Sequence, residues 1–81
     1  MDLEKILGAN VRGFRKQQRL TQALFGQRSG IHRDFIAGIE RGERNITMET
    51  LKKVAIALGI QPFVLLIPDS HKWTNPSQTT F

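Results

Sequence analysis

The apolar positions of the chain repeat with the period of a helix. Leu3, Ile6, Leu7, Val11 and Phe14 recur at 3.6-residue spacing and predict an amphipathic helix over about residues 2–18. Thr21 is placed to cap the next helix, because its hydroxyl accepts from a backbone N–H that has no helical partner. That helix covers about residues 22–28 and stops near Ser29-Gly30, where glycine suits the left-handed backbone of a helix end. A third helix runs over about residues 33–40, with Ile36 and Ile39 inward and Gly42 beyond its end. Thr47 caps a fourth, which carries Leu51, Val54, Ala55 and Leu58 on one face and ends at Gly59. Pro62 suits the first position of a fifth, short helix through about Ile67, and Pro68 stops it. No segment alternates like a strand, so the pattern predicts an all-α fold of five helices. Residues 69–81 are polar and read as a C-terminal tail behind a single domain over residues 1–68.

Composition narrows the functional classes. At 81 residues the chain holds one domain, stabilised by helix packing alone or with a partner chain. It has no cysteine, which excludes disulfides and thiolate metal sites. Its two histidines, His32 and His71, make no credible metal site. There are no paired carboxylates at useful spacing and no glycine-rich phosphate loop, so an enzyme is not expected and no cofactor is implied. No apolar run approaches the ~18–20 residues that cross a membrane. The N-terminus lacks the charged-then-apolar pattern of a signal peptide, so a cytoplasmic protein with no membrane partner is expected.

The charge is distributed unevenly. Between Arg12 and Arg44 lie Arg12, Arg15, Lys16, Arg19, Arg28, Arg33, Arg41 and Arg44, opposed only by Asp34, Glu40 and Glu43. That segment carries the entire net charge of +5. A basic field of this kind is either a solvated face or the footprint of a phosphate-binding surface. Arginine dominates it, and the guanidinium fork matches both phosphate and guanine, which favours nucleic acid. The same segment holds two short helices joined at Gly30, the plan of a helix-turn-helix. Gly26, inside the first of them, costs roughly 1 kcal/mol relative to alanine, and its missing side chain allows a close crossing.

Leu20-Thr21-Gln22, Phe25-Gly26, Ser29-Gly30-Ile31, Ile36, Ile39-Glu40-Arg41-Gly42, Arg44-Asn45 and Ala57-Leu58-Gly59 resemble the Cro/repressor-type (XRE-like) helix-turn-helix regulators. The resemblance covers about residues 5–67. Within that family, His32-Arg33-Asp34-Phe35-Ile36 and the Gly38–Ile46 stretch are most similar to the controller proteins of restriction–modification systems. The resemblance implies a lambda-repressor-like fold and a homodimer that binds a palindromic operator in double-stranded DNA. RNA polymerase is a further partner if the protein activates. Leu24, Gly26, Phe35, Phe63, Val64 and Ile67 depart from the residues usual at their positions. A generic phage-type repressor, or an antitoxin or adaptor module on the same fold, is the alternative.

In this plan the N-terminal residues of the second motif helix face base edges. The expected base readers are His32, Arg33 and Asp34, then Ala37 and Gly38 one turn on. Arg33 suits guanine O6 and N7. Asp34 either accepts from cytosine or complements the helix dipole. His32 stands at the cap. Thr21, Gln22, Phe35, Arg41, Arg44 and Asn45 are the expected backbone contacts, Gln22 by resemblance; for Phe35, core packing is the other reading. Arg28 and Arg19 are weaker candidates. The resemblance also implies a structural ion pair between Arg15 and Glu40. Five apolar residues in a row, Phe63–Ile67, exceed what one buried stripe requires. With Leu65 and Leu66 turned to the core by resemblance, Phe63, Val64 and Ile67 are the expected dimer interface; the other reading is that the tail from Asp69 to Phe81 folds back through Trp73 and covers them.

Overall fold

The computed structural model describes residues 1–73. Four α-helices run Leu3–Gln17 (α1), Gln22–Ser29 (α2), Arg33–Glu40 (α3) and Met48–Leu58 (α4). Two 3-10 helices follow, Pro62–Leu66 and Ser70–Lys72. Each α-helix begins on a side chain that accepts a backbone N–H: Asp2 from Lys5, Thr21 from Leu24, His32 from Asp34 and Thr47 from Thr50. The fold is all-α, with the expected helix boundaries shifted by a residue or so.

α1 packs across α3, α4 and both 3-10 helices, while α2 packs on α3 and α4. Val11, Phe14, Phe25, Ile36, Ile39, Val54, Leu58 and Leu65 fill the space between them. Gly30, at φ 75°, turns the chain from α2 into α3. A Cβ on Gly26 would stand 2.7 Å from the Ile31 carbonyl oxygen, so the close approach there is made by the turn backbone.

The C-terminal part departs from the sequence expectation in two ways. Residues 62–66 form a 3-10 helix, with three residues per turn instead of 3.6. Positions three apart therefore eclipse, so Phe63 shares its side with Leu66 and not with Ile67. Val64, expected at an interface, is fully buried, and Leu66 is only half-buried.

Residues 69–73 are not a loose tail. Ser70–Lys72 form a strap against α1. Asn10, fully buried on α1, donates from Nδ2 to the carbonyls of Leu65 (2.9 Å) and Ile67 (2.8 Å). Its Oδ1 accepts from the His71 N–H (3.3 Å) and meets His71 Nδ1 at 2.8 Å. An amide oxygen only accepts, so Nδ1 carries the proton in this contact. Ser70, also fully buried, donates its hydroxyl to the Val64 carbonyl at 2.6 Å. Gln17 Nε2 donates to the His71 carbonyl. The His71 ring lies where a side chain on Gly13 would be, so this glycine is the seat of the strap. The strap is held by hydrogen bonds to polar residues, and apolar patterning carries no signal for it. The rest of the expected tail, 74–81, lies outside the described residues.

Candidate nucleic-acid interface

α3 presents an open first turn. Arg33 and Asp34 are exposed, with Arg33 Nε 3.9 Å from Asp34 Oδ1. An ion pair so exposed and so long contributes little, and it leaves the guanidinium donors available. His32 caps the helix: its Nδ1 accepts the Asp34 N–H at 3.0 Å. The neutral ring then carries its hydrogen on Nε2, as a donor. Ala37, one turn on, is half-buried and short. Arg33, Asp34 and Ala37 share a side of α3 by helical spacing, away from buried Ile36 and Ile39, and His32 stands at its N-terminus.

Gly38 does not belong with them. It is buried, and the side chain of Arg44 lies across it. A Cβ at this position would come within 2.9 Å of Arg44 Nε and 3.0 Å of its Cγ. The Arg44 guanidinium carbon sits 5.0 Å from the centroid of the Phe35 ring. Gly38 and Phe35 thus form the bed on which Arg44 lies. Gly38 is buried beneath that guanidinium arm, and the half-buried Phe35 packs against the core. The sequence signal was a glycine in mid-helix with an arginine in the loop behind it. Helical periodicity does not connect those two positions.

The other expected backbone contacts ring this helix. Thr21 Oγ1 accepts the Leu24 N–H at 3.0 Å and caps α2. Arg41 Nε donates to Glu43 Oε1 at 3.0 Å, with both side chains exposed. Arg44 and Asn45 are exposed after the end of α3. Arg28 Nη1 donates to Gln18 Oε1 at 3.3 Å.

One carboxylate joins three helices beneath this surface. Glu40 on α3 accepts from Arg15 Nε (2.6 Å) and Nη2 (2.9 Å) on α1, and from Gln22 Nε2 (3.1 Å) on α2. Arg15 Nη1 also donates to the Leu20 carbonyl at 2.8 Å, which fixes the α1–α2 connection. The side chains of Arg15 and Glu40 are only 10% and 4% exposed. The hydrogen bonds from Arg15 to Glu40 push the guanidinium pKa up, against the desolvation that lowers it. Gln22 is therefore oriented by Glu40 and keeps its second amide hydrogen for another acceptor.

An open recognition helix, a capped helix N-terminus beside it and a guanidinium-rich surround define a DNA-binding helix-turn-helix. The family model described as helix-turn-helix matches residues 11–65, and the chain belongs to that family of DNA-binding transcriptional regulators. It is 45% identical over 58 residues to the control protein C.SmaI of Serratia marcescens, a match covering 72% of this chain and 69% of that protein. Among solved structures it is similar to the restriction-modification controller protein C.AhdI from Aeromonas hydrophila. That likeness has a TM-score of 0.74 and 34% identity, over 76% of this chain and 94% of the other. The hypothetical transcription factor NHTF from Neisseria is similar at TM-score 0.80 and 30% identity, over 86% of this chain and 80% of the other.

Proposed function

We propose that this protein is a homodimeric controller of a restriction–modification system, reading a palindromic operator through α3. The observation that carries the reading is the open first turn of α3, with Arg33 exposed and Arg44 laid beside it on Gly38 and Phe35. Arg33 reads guanine, Asp34 and His32 complete the first turn, and Ala37 meets a thymine methyl. Gln22, Thr21, Arg41, Arg44 and Asn45 hold the phosphates on either side. The similarity to the control protein C.SmaI and the controller protein C.AhdI supports that role. The reading involves no reaction and no cofactor. It places the protein in the cytoplasm, with RNA polymerase as a partner if the bound dimer activates. Among the described residues no helix is long and apolar enough to cross a membrane.

The dimer uses the first 3-10 helix. Phe63 is 49% exposed there, with half-buried Leu66 on the same side of the helix. A two-fold axis through this patch sets the two α3 helices about 34–36 Å apart, one turn of DNA. The test is binding to the chain's own upstream region across a salt series. If each protomer neutralises about four phosphates, the log–log slope is roughly −7, from about −0.9 per phosphate. A slope near zero, or equal affinity for random duplex, overturns the reading. Phe63→Glu is expected to give a folded monomer by light scattering, with sharply weaker operator binding. A variant that stays dimeric puts the interface elsewhere.

A further inference from the structure

Three sides of α1 are occupied and one is not. Leu7, Val11 and Phe14 face the core, Arg15 meets α3, and Asn10, Gly13 and Gln17 carry the strap. The remaining side holds Lys5, Arg12 and Lys16, whose spacing of seven and four places them in one row. Arg19 stands just past the helix end. All four are exposed, and among the described residues none has an acidic partner within ion-pair distance.

Arg19 adds an independent observation. Its φ is 59°, a left-handed conformation that glycine adopts without strain. The chain places glycine at the three comparable positions, Gly30 after α2, Gly42 after α3 and Gly59 after α4. After α1 it places an arginine. The helix macrodipole accounts for cations in the last turn of α1, but not for Arg12 or Lys5 further back. A cation kept where the backbone favours glycine points to a use for its charge.

We infer that Arg12, Lys16 and Arg19 form a second phosphate-binding face, which takes the DNA backbone beyond the half-site that α3 reads. The inference rests on the DNA-binding function proposed above. The row is purely cationic, as a polyphosphate partner requires. It is also continuous with the proposed contacts, since Arg19 is two residues from Thr21 and three from Gln22, which open α2. Backbone leaving the half-site past the α2 N-terminus meets Arg19 first, then Lys16 and Arg12. Such contacts position the duplex without reading it.

The test uses the full-length protein, a duplex trimmed to the two half-sites and one extended by about one helical turn, ~10 base pairs, on each side. The variant is Arg12→Gln/Lys16→Gln/Arg19→Gly, in which the glycine relieves the left-handed position. Its thermal midpoint by circular dichroism is expected at or above the parent's, so weaker binding does not trace to unfolding. On the long duplex the salt slope flattens by about 5, from six phosphates per dimer at about 0.9 each. On the trimmed duplex parent and variant agree, and base preference is unchanged on both. Equal slopes for parent and variant on the long duplex overturn the inference and leave the row to an acidic protein partner or to solvent. An equal loss on both duplexes overturns the placement beyond the half-site. Failure of the parent to bind either duplex overturns the proposed function itself.

Discussion

The first turn of α3 and the C-terminal strap are both built from polar residues, and they treat them oppositely. On α3, Arg33 and Asp34 stand in water with one long, weak contact between them. At the strap, Asn10 and Ser70 are fully buried, and their hydrogen bonds run to Val64, Leu65, Ile67 and His71. No buried side-chain nitrogen or oxygen among the described residues lacks a partner. A polar group in water keeps its capacity for a ligand and adds little to stability. A polar group sealed inside has none left to offer, and removing it strands its partners. The open turn suits the recognition proposed above and the strap serves architecture; α1, which carries the strap, is tied to α3 by Arg15 and Glu40.

The largest effect is expected where they join. Arg15→Met strands the Glu40 carboxylate and the Leu20 carbonyl in a poorly solvated place, for a loss of about 3–5 kcal/mol in urea denaturation. Replacing Arg15 and Glu40 together by apolar residues recovers much of it. A near-neutral single variant breaks the view of the cluster as a buried tie. Next comes Asn10→Ala, which leaves the Leu65 carbonyl unpaired and the Ile67 carbonyl with the Ser70 N–H alone, at 3.1 Å. We expect a loss of about 2–3 kcal/mol and faster hydrogen exchange at the His71 amide, with base preference intact. A change in preference would mean that the strap and α3 are coupled.

Arg33→Ala sharpens the contrast from the other side. Stability should move by less than about 0.5 kcal/mol, while operator binding weakens by about 1–3 kcal/mol and preference relaxes at one base pair per half-site. Arg44→Ala should weaken all sequences alike and flatten the salt slope. If Arg33→Ala lowers specific and random binding equally, Arg33 is an anchor. The smallest effect is at Asp69, whose φ is 60°. Asp69→Gly relieves that backbone and should raise the thermal midpoint slightly, by less than about 1 kcal/mol of stability.

The sequence made the helices legible because each announces itself by a cap, an apolar stripe and a stop, as Thr47, Val54 and Gly59 do for α4. Arg15 and Glu40 were legible only through the family resemblance, since nothing in their spacing pairs them. Val64 was misplaced because the periodicity argument assumed 3.6 residues per turn in a stretch that winds with three. The seat of Arg44 on Gly38 was not legible, because a loop side chain folding back obeys no period. The strap was legible only as an alternative, a tail folding back, because hydrogen bonds rather than apolar spacing hold it. Its one signal was Asn10, a polar residue three positions from Leu7 and next to Val11, inside an otherwise apolar stripe.

The strap ends at the only tryptophan of the chain, which has no tyrosine. The backbone N–H of Trp73 donates to the Ser70 carbonyl at 3.0 Å, and the residue is 41% exposed. The protein thus carries a single intrinsic fluorophore, fixed to the strap and remote in the chain from α3. Excited at the indole band, its emission wavelength and anisotropy follow the docking of the strap on α1. The state of the strap can then be followed optically, without a label, during a DNA titration.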